Sequence, residues 1–192
     1  MVDSDAHLTE TVLRTEQLLH GNFLDVRRDT VRLPGGDTAT REYIVHPGAV
    51  AVVALMDDGQ VVMERQFRCP LRRVFLEIPA GKVDPGEAPK DCGIRELAEE
   101  TGYRAAQWAR ACVMHNAIAY STEGIEIWFA RGLTAGEHSR DHGEHLDIVP
   151  MRQTELEALA ARGELTDAKT LVALMWLARW RAGEWTLKWE QA

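Results

Sequence analysis

Residues 81–103 read GKVDPGEAPKDCGIRELAEETGY, and this stretch places three carboxylates within about one turn of a predicted helix. Glu96 and Glu100 lie about 40° apart around the helix axis, with Glu99 on the same side. Like charges at this spacing repel each other by roughly 0.2–0.5 kcal/mol per pair. Mg²⁺ prefers oxygen ligands and often binds substrate phosphates as well. The cluster therefore predicts metal-dependent phosphate chemistry.

An isolated ExxEE segment is more typical of a solvated acidic helix face, but the flanking residues favour the metal site. The fixed positions are Gly81, Glu87, Arg95-Glu96-Leu97, Glu99-Glu100 and Gly102. Their spacing resembles the signature of the Nudix hydrolases, with every fixed position filled, which is a specific match for a short chain. In that family the motif forms a loop, a helix and a second loop, binds Mg²⁺ or Mn²⁺, and hydrolyses a nucleoside diphosphate linked to another group.

The helix of this motif is predicted to run from Pro89 to Thr101. Proline fits the first helical turn, and Gly102 fits the left-handed position just past the end. Ile94 and Leu97 are expected to face a sheet while the glutamates face outward. Gly93 costs about 1 kcal/mol in a helix interior, which indicates close backbone packing there.

The resemblance implies direct metal ligands at three positions, namely the side chains of Glu96 and Glu100 and the backbone carbonyl of Ala80. It makes Glu99 either a further ligand or a hydrogen-bonding neighbour with a catalytic role. Arg95 is positioned to pair with Glu87 across the loop. We therefore expect Arg95 to orient the catalytic carboxylates.

A longer stretch, from Arg41 to Glu87, resembles the ADP-ribose pyrophosphatase branch of the family, and the family resemblance covers about residues 20–180. It implies hydrolysis of ADP-ribose to AMP and ribose 5-phosphate. It also implies a homodimer in which an N-terminal hairpin is exchanged between subunits. The expected organisation is a dimer-forming hairpin region at residues 1–46 and a Nudix hydrolase domain at residues 47–192.

Four side chains are predicted to bind the substrate, and for three of them, Arg68, Glu42 and Glu123, the same resemblance implies that role. Arg65 and Arg68 end a strand beside the predicted metal loop, where the planar fork of arginine suits bidentate phosphate contact. Glu42 matches a region that contacts the base, and Glu123 matches the acidic residue that follows the SPG turn of the branch, beyond the signature. At least two of the four arginines between positions 65 and 73 are expected to be surface charges, with Arg72 and Arg73 favoured for that.

Hydrolysis also requires a carboxylate that accepts a proton from water, while metal ions neutralise the phosphate oxygens. In this branch the base lies on a loop beyond the signature helix, and the matching segment is GEHSRDHGEHLDIVP, residues 136–150. Glu144 is the predicted general base. Glu137 and Asp147 are alternatives, and a solvated loop acid without a role is an equally common outcome for any one of them.

The segment HNAIAYSTEG, residues 115–124, departs from the branch because it lacks the proline of the usual SPG turn. Another nucleotide sugar, such as GDP-mannose, is therefore an alternative substrate. A Nudix fold can also serve as a ligand-sensing module without catalysis. That alternative predicts eroded metal carboxylates and an added DNA-binding segment, whereas the three glutamates are intact and no basic helix-turn-helix pattern follows.

Composition limits the remaining possibilities. A chain of 192 residues suits one ordinary domain, and a net charge of −8 argues against a broad nucleic-acid-binding surface. The cysteines, Cys69, Cys92 and Cys112, have no metal-ligand spacing and are expected to be reduced thiols. The N-terminal segment is too polar for a signal peptide, and no apolar run approaches a membrane span. These features predict a soluble cytoplasmic protein whose partner is a small nucleotide-sugar substrate.

The order of predicted elements indicates a mixed sheet with helices on its faces, an α/β/α sandwich of the α/β class. A hairpin at Leu24–Leu33 and Thr38–Val45 precedes it. Further strands are predicted at Ala49–Met56, Gln60–Phe67, Val74–Ile78, Ala106–Met114, Ile125–Gly132 and His145–Met151. Two helices, at Thr154–Arg162 and Asp167–Arg181, end the chain.

Overall fold

The protein is described from a computed structural model that covers residues 5–139 and 145–192. It divides into two compact units. The first contains the chain up to Pro47 together with Ala117–Glu123, and the second contains Gly48–Asn116 and Gly124–Ala192.

The first unit contains a three-stranded antiparallel sheet of β1 (Thr11–His20), β2 (Asp25–Arg32) and β3 (Thr38–Val45). The predicted hairpin is confirmed as β2 and β3, and β1 adds a strand that was not predicted. The sequence of β1, TVLRTEQLLH, does not alternate regularly between polar and apolar residues. Its extended conformation therefore depends on pairing with β2 rather than on a local pattern.

The second unit is built on a larger sheet. Its strands are β4 (Ala49–Leu55), β5 (Val61–Arg68), β6 (Arg73–Glu77), β7 (Ala80–Lys82), β8 (Tyr103–Met114), β9 (Ile125–Ala135), β10 (Leu146–Met151) and β11 (Glu190–Gln191). The order is β10-β5-β4-β9-β8-β11, with β6 paired to β5 and β7 paired to β4. Because β4 and β9 are parallel and the other pairs are antiparallel, the predicted mixed sheet is confirmed.

Three helices cover the two faces of this sheet: α1 (Pro89–Thr101), α2 (Gln153–Ala161) and α3 (Ala168–Arg181). Residues of β4 alternate between two cores. Val50 and Val52 pack in the core that contains Leu97 of α1, whereas Ala51 and Val53 pack in the core that contains residues of α2 and α3. The predicted α/β/α arrangement is therefore confirmed, with β4 buried on both faces.

The sequence patterns missed two short strands and misplaced the start of β8 and the end of β9, which extends to Ala135 rather than the predicted Gly132. β7 and β11 have three and two residues, which is too short for a periodic signal. β8 begins at Tyr103, directly after α1, rather than at the predicted Ala106. Within the described parts of the chain, no helix is both long enough and apolar enough to cross a membrane.

Candidate functional site

Helix α1 has the predicted bounds and packs closely against the sheet. Pro89 occupies its first turn, and Gly102 ends it with φ of 77°, donating its N–H to the carbonyl of Ala98 at 3.0 Å. Leu97 is fully buried. A β-carbon added to Gly93 would lie 3.1 Å from the Val50 side chain, which confirms the close packing predicted there. The sheet therefore fixes the height and rotation of the carboxylates on this helix.

The loop before α1 approaches the first of these carboxylates very closely. A β-carbon built on Gly81 would lie 1.8 Å from Oε1 of Glu96. Only a residue without a side chain leaves room for this carboxylate. Gly81 thus lets the Glu96 side chain lie directly against the backbone of β7.

The prediction that Glu100 faces outward is wrong, since only 3% of the residue is exposed. Its Oε2 accepts a hydrogen bond from the backbone N–H of Ala80 at 3.2 Å. Glu100 and Ala80, both predicted as metal ligands, are therefore neighbours, and the hydrogen bond between them uses the N–H of Ala80 rather than the carbonyl predicted as a ligand. The residue lies on the inner side of α1, where the helix faces the loop.

Arg95 donates hydrogen bonds to three carboxylates. It donates from Nε and Nη2 to Glu87 at 2.9 and 3.0 Å, as the sequence predicted, and from Nη1 to Glu96 and Glu99 at 2.8 and 3.0 Å. The hydrogen bonds from Arg95 lower the pKa of Glu87 to about 2. Those same bonds raise the pKa of Arg95, which stays charged.

The carboxylates of this site are oxygen donors of the type that Mg²⁺ and Mn²⁺ accept. Among residues 5–139 and 145–192, however, no three His, Cys, Asp or Glu side chains are grouped closely enough to hold a metal ion. Arg95 bonds to both Glu96 and Glu99. The donor type and the location of these carboxylates fit a divalent cation.

Arg68 belongs to a second charged cluster. It forms a bidentate ion pair with Glu77, from Nε at 2.8 Å and from Nη2 at 2.9 Å, and these bonds do not use Nη1. Glu77 also contacts the ammonium group of Lys169. Burial alone would raise the pKa of Glu77, but the hydrogen bond from Arg68 and the charge of Lys169 hold it below its usual value.

The sequence interpretation missed Glu77 and Lys169. A signal was present, because Lys169 is in the first turn of α3, where the helix dipole disfavours a positive charge. A cation there implies a nearby anionic partner.

Two grooves contain the other predicted residues of this unit. Arg65 and Asp147 form an exposed ion pair of 3.4 Å and line a groove of about 370 Å³ together with Phe67. Glu137 lines a different groove, of about 390 Å³, shared with Arg95 and Glu99. Glu144 lies outside the described residues. Arg72 and Arg73 are exposed, as expected.

The remaining predicted substrate residues are in the first unit. Glu42 is exposed on β3 and accepts a hydrogen bond from Nε of Arg28 at 2.8 Å. Glu123 is partly buried, with its carboxylate 3.6 Å from Nε2 of His46. Glu42 is thus paired with Arg28, and Glu123 lies close to His46, within that unit.

Comparison with known proteins gives two adjoining family matches. Residues 45–174 match the NUDIX domain, and residues 10–44 match the nucleoside diphosphate sugar hydrolase N-terminal domain. An ADP-ribose pyrophosphatase of Bacillus subtilis is 36% identical over 172 residues, covering 88% of this chain and 93% of that protein. A methanol dehydrogenase activator of Bacillus methanolicus is 35% identical, covering 88% and 92%. An ADP-ribose pyrophosphatase of Mycobacterium tuberculosis is 34% identical, covering 88% and 83%.

Solved structures add a match in fold. The crystal structure of an ADP compounds hydrolase aligns with a TM-score of 0.82 and 23% identity, covering 91% of this chain and 95% of that one. The alignment extends over nearly all of both chains. With the NUDIX domain match across residues 45–174 and the complete signature around α1, the chain belongs to the Nudix hydrolase family.

Proposed function

We propose that this enzyme hydrolyses the pyrophosphate bond of a nucleoside diphosphate sugar, and that its substrate is ADP-ribose. Water adds to one phosphorus atom, the bridging P–O bond breaks, and the products are AMP and ribose 5-phosphate. The observation that carries the proposal is the complete signature, folded with Glu96 against Gly81 and Glu100 against Ala80. The names of the relatives from Bacillus subtilis and Mycobacterium tuberculosis support ADP-ribose as the substrate.

Nudix hydrolases use a divalent cation, and we assign Mg²⁺, with Mn²⁺ as a substitute. Its ligands are Glu96, Glu100 and the backbone carbonyl of Ala80, with Glu99 as a further ligand or hydrogen-bonding neighbour. When bound, the cation neutralises pyrophosphate oxygens and acidifies the attacking water. Arg95 orients the carboxylates, because its guanidinium bonds to Glu96 and Glu99 while Glu87 holds it in place.

Charged side chains beyond the signature bind the substrate in this proposal. Arg68 donates to a phosphate oxygen through Nη1, which its ion pair with Glu77 does not use. Arg65 is a second phosphate contact, Glu42 contacts the base, and Glu123 supports the substrate or its water network. Lysine at position 68 would keep the charge but lose the planar fork, so Arg68→Lys should raise KM.

Glu144 is our proposed general base, from the sequence. Of the two alternatives, Glu137 is favoured over Asp147, because it shares a groove with Glu99 and Arg95. The test compares kcat for Glu144→Gln, Glu137→Gln and Asp147→Asn across pH. The base is the residue whose loss lowers kcat and removes the acidic limb of the profile.

We also propose a cytoplasmic homodimer formed through the N-terminal region, residues 1–46, with the hydrolase domain at residues 47–192. Four apolar side chains of β1 are exposed, namely Val12, Leu13, Leu18 and Leu19. Exposed apolar groups this concentrated are typical of an interaction surface. Sedimentation of the intact protein should give a dimer, and Leu13→Glu with Leu19→Glu should shift it toward monomer.

The decisive experiment is product release from a substrate panel, with Mg²⁺ and with chelator. The panel contains ADP-ribose, GDP-mannose, NADH, diadenosine polyphosphates and nucleoside triphosphates. Metal-dependent AMP release that is greatest with ADP-ribose is the expected result. Preference for GDP-mannose would instead assign a specificity role to the segment 115–124, which lacks the usual proline. No hydrolysis of any compound would overturn the proposal.

A further inference from the structure

We infer that Lys169 and Thr170, at the beginning of α3, are positioning residues that hold the segment Glu77–Ala80 in the conformation required by the candidate metal and phosphate sites. The inference rests on the proposed function for what those sites bind. Neither residue belongs to the signature, and neither was singled out by the sequence patterns. Both are buried, with exposed fractions of 8% and 1%.

Burial of Lys169 at this position is unfavourable in free energy unless its charge is paired. Removing an ammonium group from water is strongly unfavourable unless it is paired, and the start of a helix further disfavours a cation. The positive charge on its Nζ is balanced by the carboxylates of Glu77 and of Asp167, and the latter lies 3.1 Å away. Because Glu77 also holds Arg68, one buried carboxylate joins α3 to the arginine proposed to bind phosphate.

Thr170 makes the second connection. Its hydroxyl donates to Oδ2 of Asp167 at 2.6 Å and accepts the backbone N–H of Ile78 at 3.0 Å. Asp167 is fixed in turn, because it caps α3 by accepting the backbone N–H of Thr170 at 3.0 Å. The buried amide of Ile78 therefore depends on a side chain of α3 for its partner.

Ile78, which Thr170 holds, is only two residues from Ala80 in the candidate metal site. Two residues after Ile78, the N–H of Ala80 donates to Glu100. Between them, Pro79 has a fixed φ, and its carbonyl accepts the N–H of Val52 at 2.8 Å. A shift of Ile78 is therefore transmitted to Ala80 rather than absorbed by a flexible loop.

The test pairs Thr170→Val, which removes the hydroxyl at similar volume, with Thr170→Ser, which keeps it. Two quantities are measured: the Mn²⁺ dissociation constant of the protein without substrate, by electron paramagnetic resonance, and the separate kcat and KM for ADP-ribose. Supporting residues around metal sites typically change affinity or activity by roughly 10- to 100-fold when removed. We expect a loss of that size for valine and wild-type behaviour for serine.

Lys169→Met and Lys169→Arg form a second pair that leaves the bond to Ile78 in place. Methionine should raise KM through Arg68, and arginine should restore part of the loss. Leu177→Ala is the control for destabilisation, because Leu177 is buried near the other end of α3. It should lower the melting temperature without changing Mn²⁺ affinity.

Wild-type Mn²⁺ affinity and wild-type KM in folded Thr170→Val and Lys169→Met would overturn the inference. So would an equal loss of Mn²⁺ affinity in Leu177→Ala, because the effect would then be one of stability. Failure of the wild type to hydrolyse any nucleotide sugar would overturn the proposed function instead. The Mn²⁺ comparison would still decide whether α3 positions the loop.

Discussion

The carboxylate of Glu96 occupies the space in which a β-carbon of residue 81 would lie, 1.8 Å from that position. Gly81 is not among the glycines with positive φ, so any residue could adopt its backbone conformation. The glycine is required for space rather than for a turn. Its absent side chain lets a helix carboxylate approach the loop that carries Ala80.

Gly81→Ala should therefore weaken metal binding much more than it weakens the fold. Glu96 is flexible enough to swing away from the new methyl group, so we expect a stability change within about 1 kcal/mol. Mn²⁺ affinity and kcat should both fall, because Glu96 can no longer lie against β7. Gly35→Ala, where no atom lies within 4 Å of the added carbon, is the matched control. Unchanged Mn²⁺ affinity in Gly81→Ala would contradict this role for Glu96.

Glu100→Gln should lower kcat by several orders of magnitude while leaving the protein folded. The amide oxygen can still accept the N–H of Ala80, but the negative charge that a cation requires is lost. Steady-state kinetics with Mg²⁺ and a thermal melt of the same sample check both parts. Glu157→Gln removes one charge from an exposed position on α2 and should change neither quantity. Retained turnover in Glu100→Gln would exclude Glu100 as a ligand.

Glu87 should make stability depend on acid pH. Its pKa falls from an ordinary 4.5 to about 2 in the folded protein, so its stabilising contribution is fully present above pH 4.5 and is lost as the pH falls toward 2. Glu87→Gln should be less stable than wild type at neutral pH, and the difference should shrink over that interval. Urea unfolding at a series of pH values measures this. Glu164→Gln, which disrupts an exposed pair with Arg162, should show a smaller effect. A difference that does not vary with pH would refute the assignment.

Gly93→Ala should destabilise the protein even though alanine is the better helix former. The gain in helix propensity is about 1 kcal/mol, whereas overpacking a core typically costs about 1–3 kcal/mol. The added carbon would lie 3.1 Å from Val50 and 3.3 Å from Trp108. Denaturant unfolding should therefore show a net loss of about 1 kcal/mol. In a Val50→Ala background the sign should reverse, because the nearest contact is removed. If Gly93→Ala alone were more stable than the wild type, Val50 and Trp108 would have to move aside at little cost in free energy.

The fold was largely predictable because most elements carry a local pattern. The bounds of α1 follow from Pro89 and Gly102, and the strands before it follow from β-branched runs. β1 was not predictable in this way, since its residues are mixed and its pairing with β2 defines it. β7 and β11 are strands only because they lie beside β4 and β8.

The site divides in the same manner. Residue identities at fixed spacing identified the family, the grouping of carboxylates on α1 and the pair of Arg95 with Glu87. Residues on one helix and its adjoining loop are close to each other regardless of how the rest of the chain folds. Tertiary structure alone decided that Glu100 is buried against Ala80 and that Glu96 fills the space above Gly81.

The cluster of Arg68, Glu77 and Lys169 shows the limit most clearly. Lys169 is 92 positions from Glu77 in the chain, and its place at the start of α3 indicates an anionic partner without identifying which one. The sequence by itself determined the chemistry that the signature can perform. The packing of α3 against the sheet decided which distant charges support it, because burial makes each charge depend on a partner that only the folded chain supplies.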